Sequence, residues 1–303
     1  MALYRLHLKT NADEHGGSRE DLVKYCKENS FLAIGWSYLY LNHSIKNTEE
    51  LLEIAVKEIG QVPRTLRAFS RIKVDDLIWT RDLNGVYYLC RVLQEPESFN
   101  NYALDIGCIV KVKMYEIGTS VPGTIVSRFS QPRSGTLQAV IDSSMEVYAK
   151  KLYNERANEN YYIIEENVDY DLCNLLPALD LEELVIDYLQ IKYNYYLSKN
   201  SVAKLDTTIK VECELFSRDP QNPTAAVVQV KNGNASVSLE EYVPYVEAGK
   251  KVFLFFANQK YNHKISGIEC ISKLELYNFA KDYYEILPPS ISCWVKLCGL
   301  NKE

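Results

Sequence analysis

With 303 residues, 47% hydrophobic and 24% charged, the chain is longer than one average domain and too apolar to be disordered. A net charge of −6 gives no global pull toward nucleic acid but leaves local basic patches open. No apolar run reaches membrane-spanning length and the start lacks the apolar core of a secretory signal. The eight scattered cysteines, without a CxxC pair, read as buried thiols of a cytoplasmic protein, not as a disulfide framework or zinc cluster.

Residues 1–150 read as a largely β module. "LYRLHL" is a strand. "SREDLVKYCKEN" is a short helix with Ser18 as its cap, and "FLAIGWSYL" a strand with Gly35 inside it. "NTEELLEIAVKEIG" is a helix capped by Thr48 or Asn47, with an apolar face of Leu51, Leu52, Ile54, Ala55 and Ile59 and a stop at Gly60. "LRAFSRI" is a second short helical piece. "VDDLIWTRD" and "VYYLCRVLQ" flank an Asn-Gly turn, a strong hairpin signal. "DIGCIVKVKMYEI" adds a strand, and "VPGTIVSRFS" and "GTLQAV" read as short elements closing a small barrel.

A helix over "SSMEVYAKKLYNERANENYY" leads into a linker at 151–174, and a second, α/β domain is expected over 175–303. "LDLEELVIDYLQIKYNYYL" carries Leu181, Leu184, Val185, Tyr188 and Leu189 on one side of a helix. "VECELFSRD" and "AAVVQVKNG" form a strand pair around a polar turn. "SLEEYVPYVEAG" is a helix capped by Ser238, "KVFLFFAN" an apolar mid-sheet strand, and "ISKLELYNFAKDYYEIL" a closing helix before a tail that packs back.

Strand side chains alternate faces, so Glu212 and Glu214 share one face and Gln229 and Lys231 share another. Pairing through "DPQNP" lets both polar faces coincide. Such a set suits phosphodiester hydrolysis. Carboxylates and the Val230 carbonyl hold Mg²⁺, with Mn²⁺ as a substitute, and Lys231 orients water and offsets phosphate charge. Glu183 is the expected third acid, from the preceding helix, with Glu182 and Asp206 as contenders. The plainer reading of the same alternation is an ordinary half-exposed sheet edge.

"VECELF…AAVVQVKNGN" resembles the core of the PD-(D/E)xK nuclease superfamily in its Mrr-like branch, where QxK is the second half-motif. The resemblance implies a restriction-endonuclease-like domain with a helix glutamate (Glu183 or Glu182), a strand acid (Glu212, or Glu214), Gln229 and Lys231. A glutamate stands where that family usually has aspartate, and a literal PD is missing.

"FLAIGW" and "IKVDDLIWTRDLNGVYYLCRV" resemble PUA/EVE-like reader modules, with Asp75 in place of a usual glycine. A reader that inspects a whole base edge takes the base out of the stack and holds it between rings. Trp36, Tyr38 and Trp79 are the expected rings, and Asp76 or Asp82 the acceptor for a base amino group. Trp36 and Trp79 read equally well as core rings. Arg64, Arg67, Arg71, Arg128 and Arg133 are candidate phosphate contacts. A reader followed by a cutter implies a type IV-like, modification-dependent restriction endonuclease. Its substrate would be double-stranded DNA with a modified cytosine, its setting bacterial or archaeal defence, and its assembly a homodimer, since two strand cuts need two centres. The alternative is an inactive nucleic-acid-binding protein, or a subunit of a defence complex, that keeps the nuclease fold as scaffold.

Overall fold

The computed structural model describes residues 1–131, 135–164, 171–198, 213–232, 237–258 and 263–300. Two compact units share the chain, the first over 1–121 and 125–165, the second over 122–124 and 166–303. Each has its own sheet and helices, a two-unit α+β architecture. Among the described residues no helix is long and apolar enough to cross a membrane.

The first unit runs β1 (Leu3–Leu6), α1 (Arg19–Glu28), β2 (Phe31–Ile34), α2 (Thr48–Ile59), α3 (Arg64–Phe69), β3 (Leu77–Arg81), β4 (Tyr87–Val92), β5 (Glu97–Asn101), β6 (Ile106–Gly118), α4 (Gly123–Ser130), β7 (Leu137–Ala139) and α5 (Ser143–Ala157). Local chemistry sets the helix starts. Ser18 Oγ accepts the Asp21 amide at 3.1 Å and Asn47 Oδ1 accepts that of Glu50 at 2.8 Å, each satisfying an orphan donor of the first turn. Gly60 ends α2 at a φ of 82°, which a side chain would resist.

Seven strands form one curled sheet in the order β2-β6-β4-β3-β1-β7, with β5 also on β6. β6 is long enough to pair β2 and β5 with its first half and β4 with its second, and so bends the sheet around a core. That core holds Leu6, Leu22, Phe31, Leu66, Phe69, Ile78 and Val110. The opposite face carries Leu3, Arg5, Leu77, Trp79 and Leu89, alternating with the core positions. Phe129 of α4 and Tyr153 of α5 rest their rings on that face, against Tyr87 and Tyr115.

Two sequence expectations change here. "FLAIGWSYL" is a strand only to Ile34. Trp36 takes a left-handed φ of 73° and opens a 3-10 turn over Ser37–Tyr40. "VPGTIVSRFS", expected as a short element closing a barrel, holds the helix α4, because its apolar residues fall at helical spacing. The described pairings trace an open path from β2 to β7, not a closed ring. Residues 151–165 stay with the first unit. The Tyr161 hydroxyl donates to Asp75 Oδ1 at 2.7 Å, and the Tyr162 hydroxyl to the Asp75 carbonyl at 2.8 Å.

The second unit runs α6 (Leu172–Leu175), α7 (Ala178–Lys192), β8 (Tyr195–Leu197), β9 (Cys213–Ser217), β10 (Ala225–Lys231), a 3-10 turn (Leu239–Tyr242) leading into α8 (Val243–Glu247), β11 (Lys251–Phe256), β12 (Ile268–Ile271), α9 (Lys273–Asp282) and α10 (Pro289–Leu297). Its five strands lie in the order β12-β11-β10-β9-β8. The hairpin pairs are antiparallel and β10, β11 and β12 are parallel. The apolar run of β11 is mid-sheet as expected: Val252, Phe253, Leu254 and Phe255 are fully buried. One face, through Val227, Val252, Leu254 and Phe256, meets Leu239 and Tyr242. On the other, Tyr193 and Tyr195 pack on Phe253. All eight cysteines are free and five are buried, so burial pushes thiols such as Cys26 up to about 12.

Candidate functional site

In the second unit, register decides which polar residues can cooperate. Val227 faces Glu214 across the hairpin, and Gln229 and Lys231 follow Val227 on the same face of β10. The sequence expectation of one shared polar face therefore holds for Glu214, Gln229 and Lys231. It does not bring them equally close. Glu214 is a diagonal neighbour of Gln229, about 7–8 Å away between backbones. Lys231 lies four positions past Val227, a strand rise of about 13 Å. Glu214 instead pairs with Lys250, at the start of β11.

Gln229 is 3% exposed and donates its side-chain amide to the Val230 carbonyl at 3.2 Å. Lys231 is exposed where the strand runs out, and its carbonyl accepts the Ala257 amide at 3.1 Å. Asn232 Nδ2 donates to the Leu176 carbonyl at 3.0 Å, tying the end of β10 to the approach to α7. Glu212 and Asp206 lie outside the described residues.

The helix acid takes a different place from the expected one. Leu181, Leu184, Val185, Tyr188 and Leu189 are buried, as their spacing implied. Asp180, Glu183 and Asp187 fall on a neighbouring stripe, which meets α10. Ser290 Oγ donates to Glu183 at 2.8 Å, and Trp294 Nε1 to fully buried Asp180 at 2.7 Å. Thr124 N also donates to Asp180, at 3.0 Å. Glu183 thus answers to α10. Asp187 has a buried oxygen without a hydrogen-bond partner. Burial, then the charge of Glu183, raises its carboxyl to about 7. Among the described residues no three His, Cys, Asp or Glu side chains converge as metal ligands.

In the first unit the expected base readers separate. Trp79 is fully buried beneath the sheet, its Nε1 without a partner. Asp76, 4% exposed, accepts the Ala2 amide at 2.6 Å and the Lys73 amide at 2.9 Å, a staple on the amino terminus. Asp82 braces the hairpin turn. It accepts from the amides of Asn84 and Val86 at 2.9 and 3.0 Å and from the Tyr88 hydroxyl at 3.0 Å. It faces a separate groove of about 420 Å³ with Lys24, Lys27 and Leu83. Of the arginines, Arg64, Arg67 and Arg71 are exposed on and after α3, and Arg133 is outside the described residues.

Trp36 and Tyr38 do come together. They line a cavity of about 200 Å³ with Lys9, Thr10, Asn11, Asp105 and Thr136. This is smaller than the usual drug-sized pocket of roughly 300–1,000 Å³. Asp105, which sequence reasoning missed, organises the rim. It is 4% exposed and accepts the Asn11 amide at 3.0 Å, the Ser37 amide at 3.0 Å and the Ser37 hydroxyl at 2.8 Å. Two glycines allow the close approach. A Cβ on Gly35 would sit 2.6 Å from Asp105 Oδ2, and one on Gly107 only 2.4 Å from the Gly35 carbonyl. The Gly-Trp pair was a visible signal, whereas Asp105 sits in a turn with no local mark of its role.

No protein-family model, curated protein sequence or solved structure matches this chain.

Proposed function

We propose that the chain is a metal-dependent endonuclease of the Mrr-like PD-(D/E)xK kind, acting on double-stranded DNA that carries a modified cytosine. The observation that supports this best is the common face of Gln229 and Lys231 on a strand held between an antiparallel hairpin partner and a parallel neighbour. That arrangement follows the helix α7, the order in which the resemblance sets its motif. The pocket of Trp36 and Tyr38 adds a second support: two rings beside a small cavity accept a flipped base by stacking.

Mg²⁺ asks for carboxylate oxygens. Beside Lys231 the described chain offers an amide and a carbonyl that already accepts the Gln229 amide. The described residues alone do not make the metal site, and in this reading its carboxylate is Glu212. The metal would polarise the phosphate and acidify a bound water. Lys231, at the exposed end of β10, offsets charge gathering on the phosphate and orients the water.

With Mg²⁺, the full chain is expected to cut cytosine-modified DNA and spare plain DNA. Lys231→Ala abolishes cutting and leaves binding intact; equal cutting by that variant overturns the assignment. A second reading, a non-cutting nucleic-acid binder, is favoured by the pairing of Glu214 with Lys250. Binding without cutting on every modified and plain DNA supports it.

A further inference from the structure

A row of basic side chains lies where β1 and β3 end, next to the Trp36–Tyr38 pocket. Arg5 pairs with Trp79 in the ladder, and His7 and Arg81 each follow by two residues on the same face. Phe129 is their hub. Its ring lies 5.6 Å from the Arg5 guanidinium, 5.3 Å from that of Arg81 and 5.0 Å from the His7 ring. Arg19 donates to the Leu8 carbonyl at 3.0 Å.

Arg5, Lys9, Arg19, Arg81 and Arg128 form no ion pair with any carboxylate in the described chain. Arg5 is fully buried and donates to two carbonyls and to Gln138 Oε1 at 2.5 Å, while its Nε has no partner; the Nε of Arg128 is likewise buried and unpartnered. Burial, reinforced by Arg5, Arg19, Arg81 and Lys9, pushes the His7 imidazole down to about 4. Asp105 of the adjoining pocket is held by the Asn11 and Ser37 amides, so these cations, with no carboxylate ion-paired to them among the described residues, leave the field for an outside anion to complete.

The pocket supplies the register. Lys9 and Thr136 line it, and the Thr136 carbonyl accepts both the His7 amide at 2.8 Å and Arg5 Nη1 at 3.4 Å. Pocket and cations thus share one wall. We propose that this ridge seats the nucleic-acid phosphate next to the base held by Trp36 and Tyr38. Exposed Arg19 and Lys9 and half-buried Arg81 meet the phosphodiester, and buried Arg5 backs them. The inference rests on the base-reading half of the proposed function and is independent of cutting.

The test uses the full chain in chelator, so that no strand is cut, and a labelled short duplex carrying methylcytosine. Binding is followed from about 50 to 200 mM salt, where each neutralised phosphate adds about 0.9 to the slope of log affinity against log salt. Arg19→Gln with Arg81→Gln should flatten the slope by about 1 to 2 and weaken binding about 10- to 100-fold at low salt. Arg19→Lys with Arg81→Lys should keep the slope, as should Lys111→Gln, which removes an ion-paired surface lysine. Trp36→Ala should keep the slope and lose the preference for the modified base. In the complex, the His7 ring should titrate well above about 4, read by NMR, because phosphate offsets the surrounding cations. An unchanged slope in the folded Gln double variant, or an unmoved His7 titration, overturns the phosphate seat and leaves the base pocket standing. Failure of the wild-type chain to bind either modified or plain DNA overturns both.

Discussion

Asp187 offers the sharpest physical test of the second unit. Its carboxyl is raised from 3.8 to about 7, first by burial and then by Glu183, and one of its oxygens is buried without a partner. The folded chain therefore keeps a proton that the unfolded chain loses. Between those two values the native state binds more protons, so stability declines as pH rises, and the penalty is complete above about pH 7. A shift of about 3 units corresponds to a ceiling of about 4 kcal/mol. Asp187 is only partly shielded from water, which lowers the expected figure to about 1–2 kcal/mol. Asp187→Asn keeps the shape and removes the ionisation. At pH 8 the variant should be more stable by that amount, which appears as roughly 5- to 30-fold slower amide exchange in α7. At pH 3, below both values, the gain should vanish. Exchange measured by mass spectrometry on both proteins at each pH decides it. No gain at pH 8, or the same gain at both pH values, refutes the argument that charge burial sets the local stability.

Gly107→Ala should lower the melting temperature of the first unit, because its Cβ would meet the Gly35 carbonyl; overpacking of this kind costs about 1–3 kcal/mol. Asp105→Ala should orphan the Ser37 and Asn11 amides at a cost of about 1–3 kcal/mol, measured by urea denaturation, and should abolish preference for the modified base in the binding assay. Asp75 is held below the ordinary carboxylate range, chiefly by the Tyr161 hydroxyl and then by Arg91. Its stabilising contribution is present above the ordinary value and is lost as pH falls through the lowered one. Asp75→Asn should flatten acid-side melting curves, and an unchanged acid profile would count against the Tyr161–Asp75–Arg91 contact as a tether.

Some of this protein was legible residue by residue. Ser18 and Asn47 cap their helices through local hydrogen bonds, and the Asn-Gly turn sets its hairpin, because these signals act over three or four residues. The unbroken apolar run of β11 announced a mid-sheet strand for the same reason. Alternation likewise put Gln229 and Lys231 on one face, since a period of two needs no partner to be read.

What alternation could not provide was distance along the ladder. Only the pairing of Val227 with Glu214 shows that Glu214 sits short of Lys231 and that Lys250 takes its charge. Helical spacing named the buried side of α7, but only the packing of α10 assigned Glu183 to Ser290 and Asp180 to Trp294. The Trp and Asp residues expected as base readers are scattered in space. Trp79 became core, Asp76 and Asp82 became backbone braces, and Trp36 and Tyr38 met Asp105 across a stretch of chain that no local pattern connects. The cation ridge is of the same kind. Arg5 and Arg81 look ordinary in the sequence, and they meet only because parallel pairing of β1 and β3 and the ring of Phe129 gather them at one end of a sheet. Local chemistry determined the elements and their faces, whereas long-range register and helix packing decided which side chains meet.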